Sequence, residues 1–494
     1  TFSGRRGIGL TPTRPLPFPY TLPLLPLLYI CIHISQFHNH KEEEKTMKTH
    51  FLCPLSFLFF FALAAQAAPD ANPKCEAPQD HGSTLRVFHI FSPCSPFRPP
   101  NPAAASSWEE SVLQLQAKDQ ARLLYLSSLV AKRSVVPIAS GRQIVQSPTY
   151  ILRAKIGTPP QTMLMALDTS SDAAWIPCNG CVGCPSSSLF DSHKSTTFKS
   201  LGCQSPQCKQ VPNPTCGGSA CMFNMTYGGS SIAANLSSDT VTLASDPVRG
   251  YTFGCIQKAT GSSVPPQGLL GLGRGPLSFL SQTQSLYKST FSYCLPSFKS
   301  LNFSGSLRLG PVAQPQRIKY TPLLKNPRRS SLYYVNLVGI KVGRKVVDIP
   351  AGALAFNPPP APAPSSIPGF RFLVAGTVFT RLVTPAYTAV RDEFRRRVGR
   401  NVTVTSLGGF DTCYSAPIVP PTITLQFAGL NVSLPAENIM IHSTAGSTSC
   451  LAMAAAPGNV NSVVNVIANM QQQNHRILFD VPNSRIGVAR EQCT

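Results

Sequence analysis

Ala166-Leu167-Asp168-Thr169-Ser170-Ser171-Asp172 is the stretch that decides the fold. A short apolar strand delivers one aspartate into a turn of small hydroxyl residues. Ala173-Ala174-Trp175 and a cysteine-rich loop follow. Just upstream, Tyr150 to Ile156 alternates apolar and polar residues, Gly157-Thr158-Pro159-Pro160 turns the chain, and 163–167 reads as the next strand. Short strands punctuated by Gly, Pro, Ser and Asn continue to the C-terminus, so the sequence predicts a mostly β fold. One clear helix interrupts it, with Thr384 as N-cap, Pro385 as first helical residue and 386–398 as body.

The turn has an echo in the second half. Phe372-Leu373-Val374-Ala375-Gly376-Thr377-Val378-Phe379-Thr380 repeats its Gly-Thr-apolar part. Leu269-Leu270-Gly271-Leu272-Gly273 reads as an element packed behind the first turn. Val466-Ile467-Ala468-Asn469 occupies the corresponding place behind the second, with Ala for Gly. This order resembles the pepsin-like aspartic proteases, in particular the secreted nepenthesin-like and nucellin-like proteases of plants. The resemblance runs from Met47 to Thr494, with a break before Val374. It implies two β-rich lobes around a central cleft, each giving one Asp from such a turn. No cofactor and no metal are implied, and the substrate would be a polypeptide.

The second turn of that family reads Asp-Ser/Thr-Gly-Thr. Here Gly376 and Thr377 are in place and the Asp position is Val374. Peptide hydrolysis by two carboxyls needs one as base for a water and the other as acid for the carbonyl oxygen. Two such groups at hydrogen-bond distance share a proton and titrate as a pair. Asp168 alone cannot hold both roles. After Ser331 the aspartates are Asp348, Asp392, Asp411 and Asp480, and none precedes Ser/Thr-Gly. The chain as written is therefore expected to be inactive. The Pro-rich stretch 357–364 is a poor approach to a buried strand. Codons that give 360–369 can, one frame over, also give Gly-Ala-Gly-Thr-Ile-Phe-Asp-Ser-Gly, which points to a frame or splice slip.

The resemblance assigns further roles. Thr169 would lock the two turns together, a bond that Ala375 removes on the other side. Ser171 would bond the Asp168 carboxylate. Ser170 replaces the usual Gly, at some strain cost. Tyr227 matches the flap tyrosine that closes over substrate, and Trp175 the aromatic supporting it. The twelve-cysteine pattern implies Cys178–Cys181, Cys184–Cys255, Cys203–Cys221, Cys208–Cys216, Cys294–Cys493 and Cys413–Cys450; spacing alone establishes no connectivity.

Around this core, 494 residues suffice for a bilobal domain. Residues 47–67 read as a signal peptide: Lys48, an apolar run at 51–63, and Ala65-Gln66-Ala67. The run is short of the roughly 20 residues that span a bilayer, so no stable membrane anchor is expected. Residues 1–46 read as non-native upstream leader. Residues 68–133 read as a propeptide, with a Ser107-x-x-Glu110 capping box and apolar Val112, Leu115, Leu123, Leu126 and Leu129 at helical intervals. The lobes are placed at 134–330 and 331–494.

Twelve cysteines from Cys178 onward suit disulfides in a secreted chain better than zinc, although Cys178-x2-Cys181-x2-Cys184 invites the comparison. Sequons at Asn224, Asn235, Asn302, Asn401 and Asn431 fit secretion to the plant cell wall space. The net charge is +22; from Thr149 onward 29 Lys and Arg face 12 Asp and Glu. Apart from Arg395-Arg396-Arg397 these charges are scattered, which favours an anionic extracellular polysaccharide over nucleic acid as partner. A monomer is expected. The competing reading is a non-catalytic binding protein on the same scaffold, like the xylanase inhibitors.

Overall fold

The computed structural model describes residues 84–89, seven positions between 112 and 123, and 150–493 apart from short breaks, the longest at 355–369. All of them fall in one unit, Asn72–Thr494. The leader, the signal segment, Asn302, the Pro-rich stretch 357–364, Val374 and Ala375 lie outside the described residues.

Two β-rich lobes are joined by a sheet to which both contribute. Thr290–Cys294 of the first half pairs antiparallel with His475–Asp480 of the second, Phe291 opposite Phe479. Their rings stack at 4.5 Å between centroids, 2° from parallel. On one side the sheet continues through Gly305–Leu309 to Thr84–His89, and from there to Tyr150–Ile156. On the other it continues through Arg485–Arg490 to Lys319–Leu324. Thr84–His89 lies within the segment read as propeptide, yet Leu85 and Val87 are fully buried there. Alternation in Tyr150–Ile156 and Gly305–Leu309 puts one apolar row into the main core; of these strands the period-2 reading located Tyr150–Ile156.

The helix is Thr384–Val398. Thr384 is its first residue rather than its cap. Val383 accepts the first intrahelical bond, from the Tyr387 N–H at 2.9 Å. Three four-residue helices, Phe279–Gln282, Gln284–Tyr287 and Asn469–Gln472, are too short to leave a 3.6-residue period and were not anticipated.

Four of the implied disulfides are corrected. The structure pairs Cys178 with Cys255 and Cys181 with Cys184. Strand Trp175–Val182 runs parallel to Asp246–Thr260 with Ile176 opposite Cys255, so Cys178 is brought to that strand, Cα–Cα 5.5 Å. Cys181 and Cys184 then close a turn through Gly183, at φ 81°. Cys203 pairs with Cys216 and Cys208 with Cys221. Burial sorts these: Cys208 and Cys221 are in the core, whereas Cys216 is exposed. Cys294–Cys493 and Cys413–Cys450 are formed as the resemblance implied.

Candidate active site

Asp168 ends strand Gln161–Asp168, which runs parallel to Leu269–Gly271 with Asp168 opposite Gly271. The Leu272 N–H donates to the Asp168 carbonyl at 2.8 Å. A Cβ at Gly271 would stand 2.3 Å from the Ala173 carbonyl oxygen, so only glycine lets the turn lie so close. The carboxylate is fully buried and hydrogen-bonded. Its Oδ1 accepts from the Ser170 N–H at 2.9 Å and from Ser170 Oγ at 2.7 Å. Its Oδ2 accepts from Ser171 Oγ at 2.8 Å and from the Tyr227 hydroxyl at 3.4 Å. Ser170 is not among the left-handed residues, so the anticipated strain is absent and its hydroxyl instead adds a bond.

The second turn meets the first. Strand Phe370–Leu373 runs parallel to Val464–Ile467, Leu373 opposite Ile467, as Leu167 lies opposite Leu270. That register stops one residue short of position 374. Beyond it, Gly376 faces Asp168: a Cβ there would lie 2.8 Å from Oδ1. Thr377 stands three residues after position 374, as Ser171 stands three after Asp168. Its Oγ1 is buried and has no hydrogen-bond partner among the described residues.

Tyr227 ends strand Ala220–Tyr227, which folds back as strand Ser230–Leu243. Its ring meets Trp175 edge-on, 5.0 Å between centroids. Beside the turn is a cavity of about 270 Å³ lined by Trp175, Val211, Phe223 and Leu277.

A residue set that the sequence reading missed closes the site. In the helical stretch between 112 and 123, Gln116, Asp119 and Arg122 are spaced by three. Gln116 Oε1 accepts from the Gly409 N–H at 2.6 Å. Asp119 accepts from the Val378 N–H at 2.7 Å and from the Phe379 N–H. Arg122 is ion-paired with Asp168, donates to Ser170 Oγ and lies over the Tyr227 ring, 4.7 Å from its centroid. Val112 packs with Val378, Phe379 and Phe410. The stretch thus reaches from the second lobe to Asp168. Its polar i, i+3, i+6 row was the available signal.

The remaining candidates are placed as follows. Thr169 is buried in the first turn. Asn224, Asn401 and Asn431 are exposed, and Asn235 is half-buried in a strand. The arginine run is partly paired: Arg396 and Arg397 share Glu393 at 2.6 and 2.7 Å, and Arg395 lies 3.4 Å from Asp411. Among the described residues no helix is long and apolar enough to cross a membrane.

Comparison with known proteins agrees with this geometry. Residues 150–311 match the family described as Xylanase inhibitor N-terminal, and 332–490 its C-terminal counterpart. Aspartyl protease AED3 of Arabidopsis thaliana is 48% identical over 454 residues, covering 89% of this chain and 99% of that protein. Aspartyl protease 25 of Oryza sativa subsp. japonica is 47% identical, covering 83% and 94%. Basic 7S globulin from soybean shares the fold, with TM-score 0.55 at 18% identity, over 71% of this chain and 94% of that one.

Proposed function

We propose, for a chain that belongs to the plant aspartyl proteases, that it is the zymogen form of a secreted acid endopeptidase whose second catalytic aspartate is missing from the sequence as written. One observation carries the reading: Asp168, bonded by Ser170 and Ser171 and touched by Tyr227, faces Gly376 across the junction of the two lobes. That is the placement a shared-proton carboxyl pair requires. The Thr377 hydroxyl, without a partner among the described residues, stands where Ser171 stands in the other turn, and a carboxyl at position 374 would give it a partner. The stretch with Arg122 would act as the inhibitory propeptide, since it occupies Asp168 with a cation. Signal peptide, exposed sequons and six disulfides fit secretion into the cell wall space. The test is to restore Asp at Val374, with Ser at Ala375. Acid proteolysis sensitive to a statine-type inhibitor should appear, and vanish on Asp168→Asn.

A second reading has its own support. With no carboxyl at position 374 and with matches to Xylanase inhibitor families, the chain would serve as a binding protein on the same scaffold. Glycanase inhibition by the unaltered chain, with no proteolysis after the restoration, would favour it.

A further inference from the structure

Two adjacent backbone N–H groups of the second turn, Val378 and Phe379, point at one carboxylate, that of Asp119, and each oxygen takes one of them. Two residues on, in strand Thr380–Leu382, is Arg381, 4% exposed. Its Nη1 donates to the Ala455 carbonyl at 3.3 Å, while Nε and Nη2 are buried without partners among the described residues. A buried guanidinium so poorly satisfied is costly unless an anion lies close. The carboxylate acting on it is that of Asp119; Asp411 is taken up by Tyr387, Arg391 and Arg395. Burial lowers the proton affinity of Arg381 and the Asp119 charge works against that.

We propose that the Val378 and Phe379 amides, backed by Arg381, form a carboxylate-recognition subsite of the cleft, filled here by Asp119 and taken by an Asp or Glu side chain of a peptide ligand once the helical stretch leaves. The proposal rests on the reading that the cleft receives a peptide. A carboxylate offers two acceptor oxygens to the two donors. An amide offers one acceptor and turns its own NH2 on the other N–H. The subsite therefore discriminates Glu from Gln of nearly equal shape, and Asp119 is a ligand mimic as well as an anchor. Leaving the two donors and Arg381 without an anion would be expensive, which favours acidic ligands further.

The test uses the full chain carrying Asp119→Ala and Arg122→Ala, so that the stretch loses both buried charged anchors. Labelled octapeptides with Glu or Gln at each position in turn are titrated by fluorescence anisotropy at pH 6, where a free carboxyl is ionised. At one position Glu should bind roughly tenfold more tightly than Gln, the scale of a hydrogen-bonded charge. Arg381→Met should shrink the Glu-over-Gln difference, and Arg381→Lys should keep most of it. Equal affinities at every position, a preference that Arg381→Met leaves unchanged, or no peptide binding at all overturns the proposal. The Glu-to-Gln comparison at intact Arg381 decides the matter alone if Arg381→Met does not fold. Binding is read rather than turnover. A chain that binds acidic peptides but stays inert after Val374→Asp sinks the peptidase reading and leaves the subsite standing.

Discussion

Arg122 is ion-paired with Asp168, and both side chains are out of water, 2% and 0% exposed. The partners lie 46 residues apart in sequence. A buried charge is tolerated when its partner is present and becomes costly when the partner is removed. The pair thus fastens the helical stretch to the floor of the cleft and sets a cation against the Asp168 carboxylate.

Arg122→Met should loosen that stretch by about 3–5 kcal/mol, the usual cost of breaking a buried pair. A statine-type ligand, excluded from the parent chain, should then bind the variant measurably by calorimetry. Equal exclusion from both proteins would show that the stretch is held by Gln116, Asp119 and Val112 alone.

Val374→Asp with Ala375→Ser should give the Thr377 hydroxyl a carboxylate partner and Asp168 a neighbour with which to share a proton. Turnover of an unfolded protein substrate near pH 3–4 should rise from nothing to a measurable rate. Adding Arg122→Met should raise the rate further, because the helical stretch then loses its contact with Asp168.

His89 is buried at the end of strand Thr84–His89, its ring edge-on to Tyr150 at 5.3 Å. Burial pushes its imidazole down to about 3, so the docked strand keeps it neutral. Released, it takes up a proton below about 6.5. The stabilisation is therefore whole above about pH 6.5 and is lost as pH falls toward 3, by at most about 1.4 kcal/mol per pH unit. Melting curves between pH 7 and 4 should show a shallower decline for His89→Phe, which keeps the ring contact. Parallel declines would remove His89 from the acid response.

Non-reducing peptide mapping should recover Cys178 with Cys255 and Cys208 with Cys221. Replacing Cys294 and Cys493 together by Ser should cost about 2–5 kcal/mol, since that bridge ties residues 199 apart. A melting temperature unchanged from the parent would contradict it.

With 29 basic against 12 acidic residues from Thr149 onward, the chain should be held by de-esterified pectin at low salt. It should be released toward ~0.15 M, where screening shortens to about 8 Å. Because Arg396 is already paired with Glu393, Arg396→Gln should change the elution salt no more than any other single exposed cation. Retention unaffected by salt would mean that the basic surface has no such partner.

The sequence by itself determined the parts written in local patterns. Alternating strands, the hydroxyl-rich turn at Asp168, the Gly-Thr remnant at Gly376 and the apolar elements at 269–271 and 466–467 are each set by neighbours within a few residues. Their order around the chain fixed the two-lobed fold. That Val374 stands where the family carries Asp was legible for the same reason. The tertiary structure alone decided which distant groups meet. Four cysteine pairings turned on strand register and burial, which spacing does not encode. The fit of Ser170 in its turn depended on a carboxylate close enough to accept its hydroxyl. Gln116, Asp119 and Arg122 read as ordinary polar residues of an amphipathic helix. They became anchors only because folding lays that helix across both turns and buries their polar groups against partners 46 to 293 residues away in sequence.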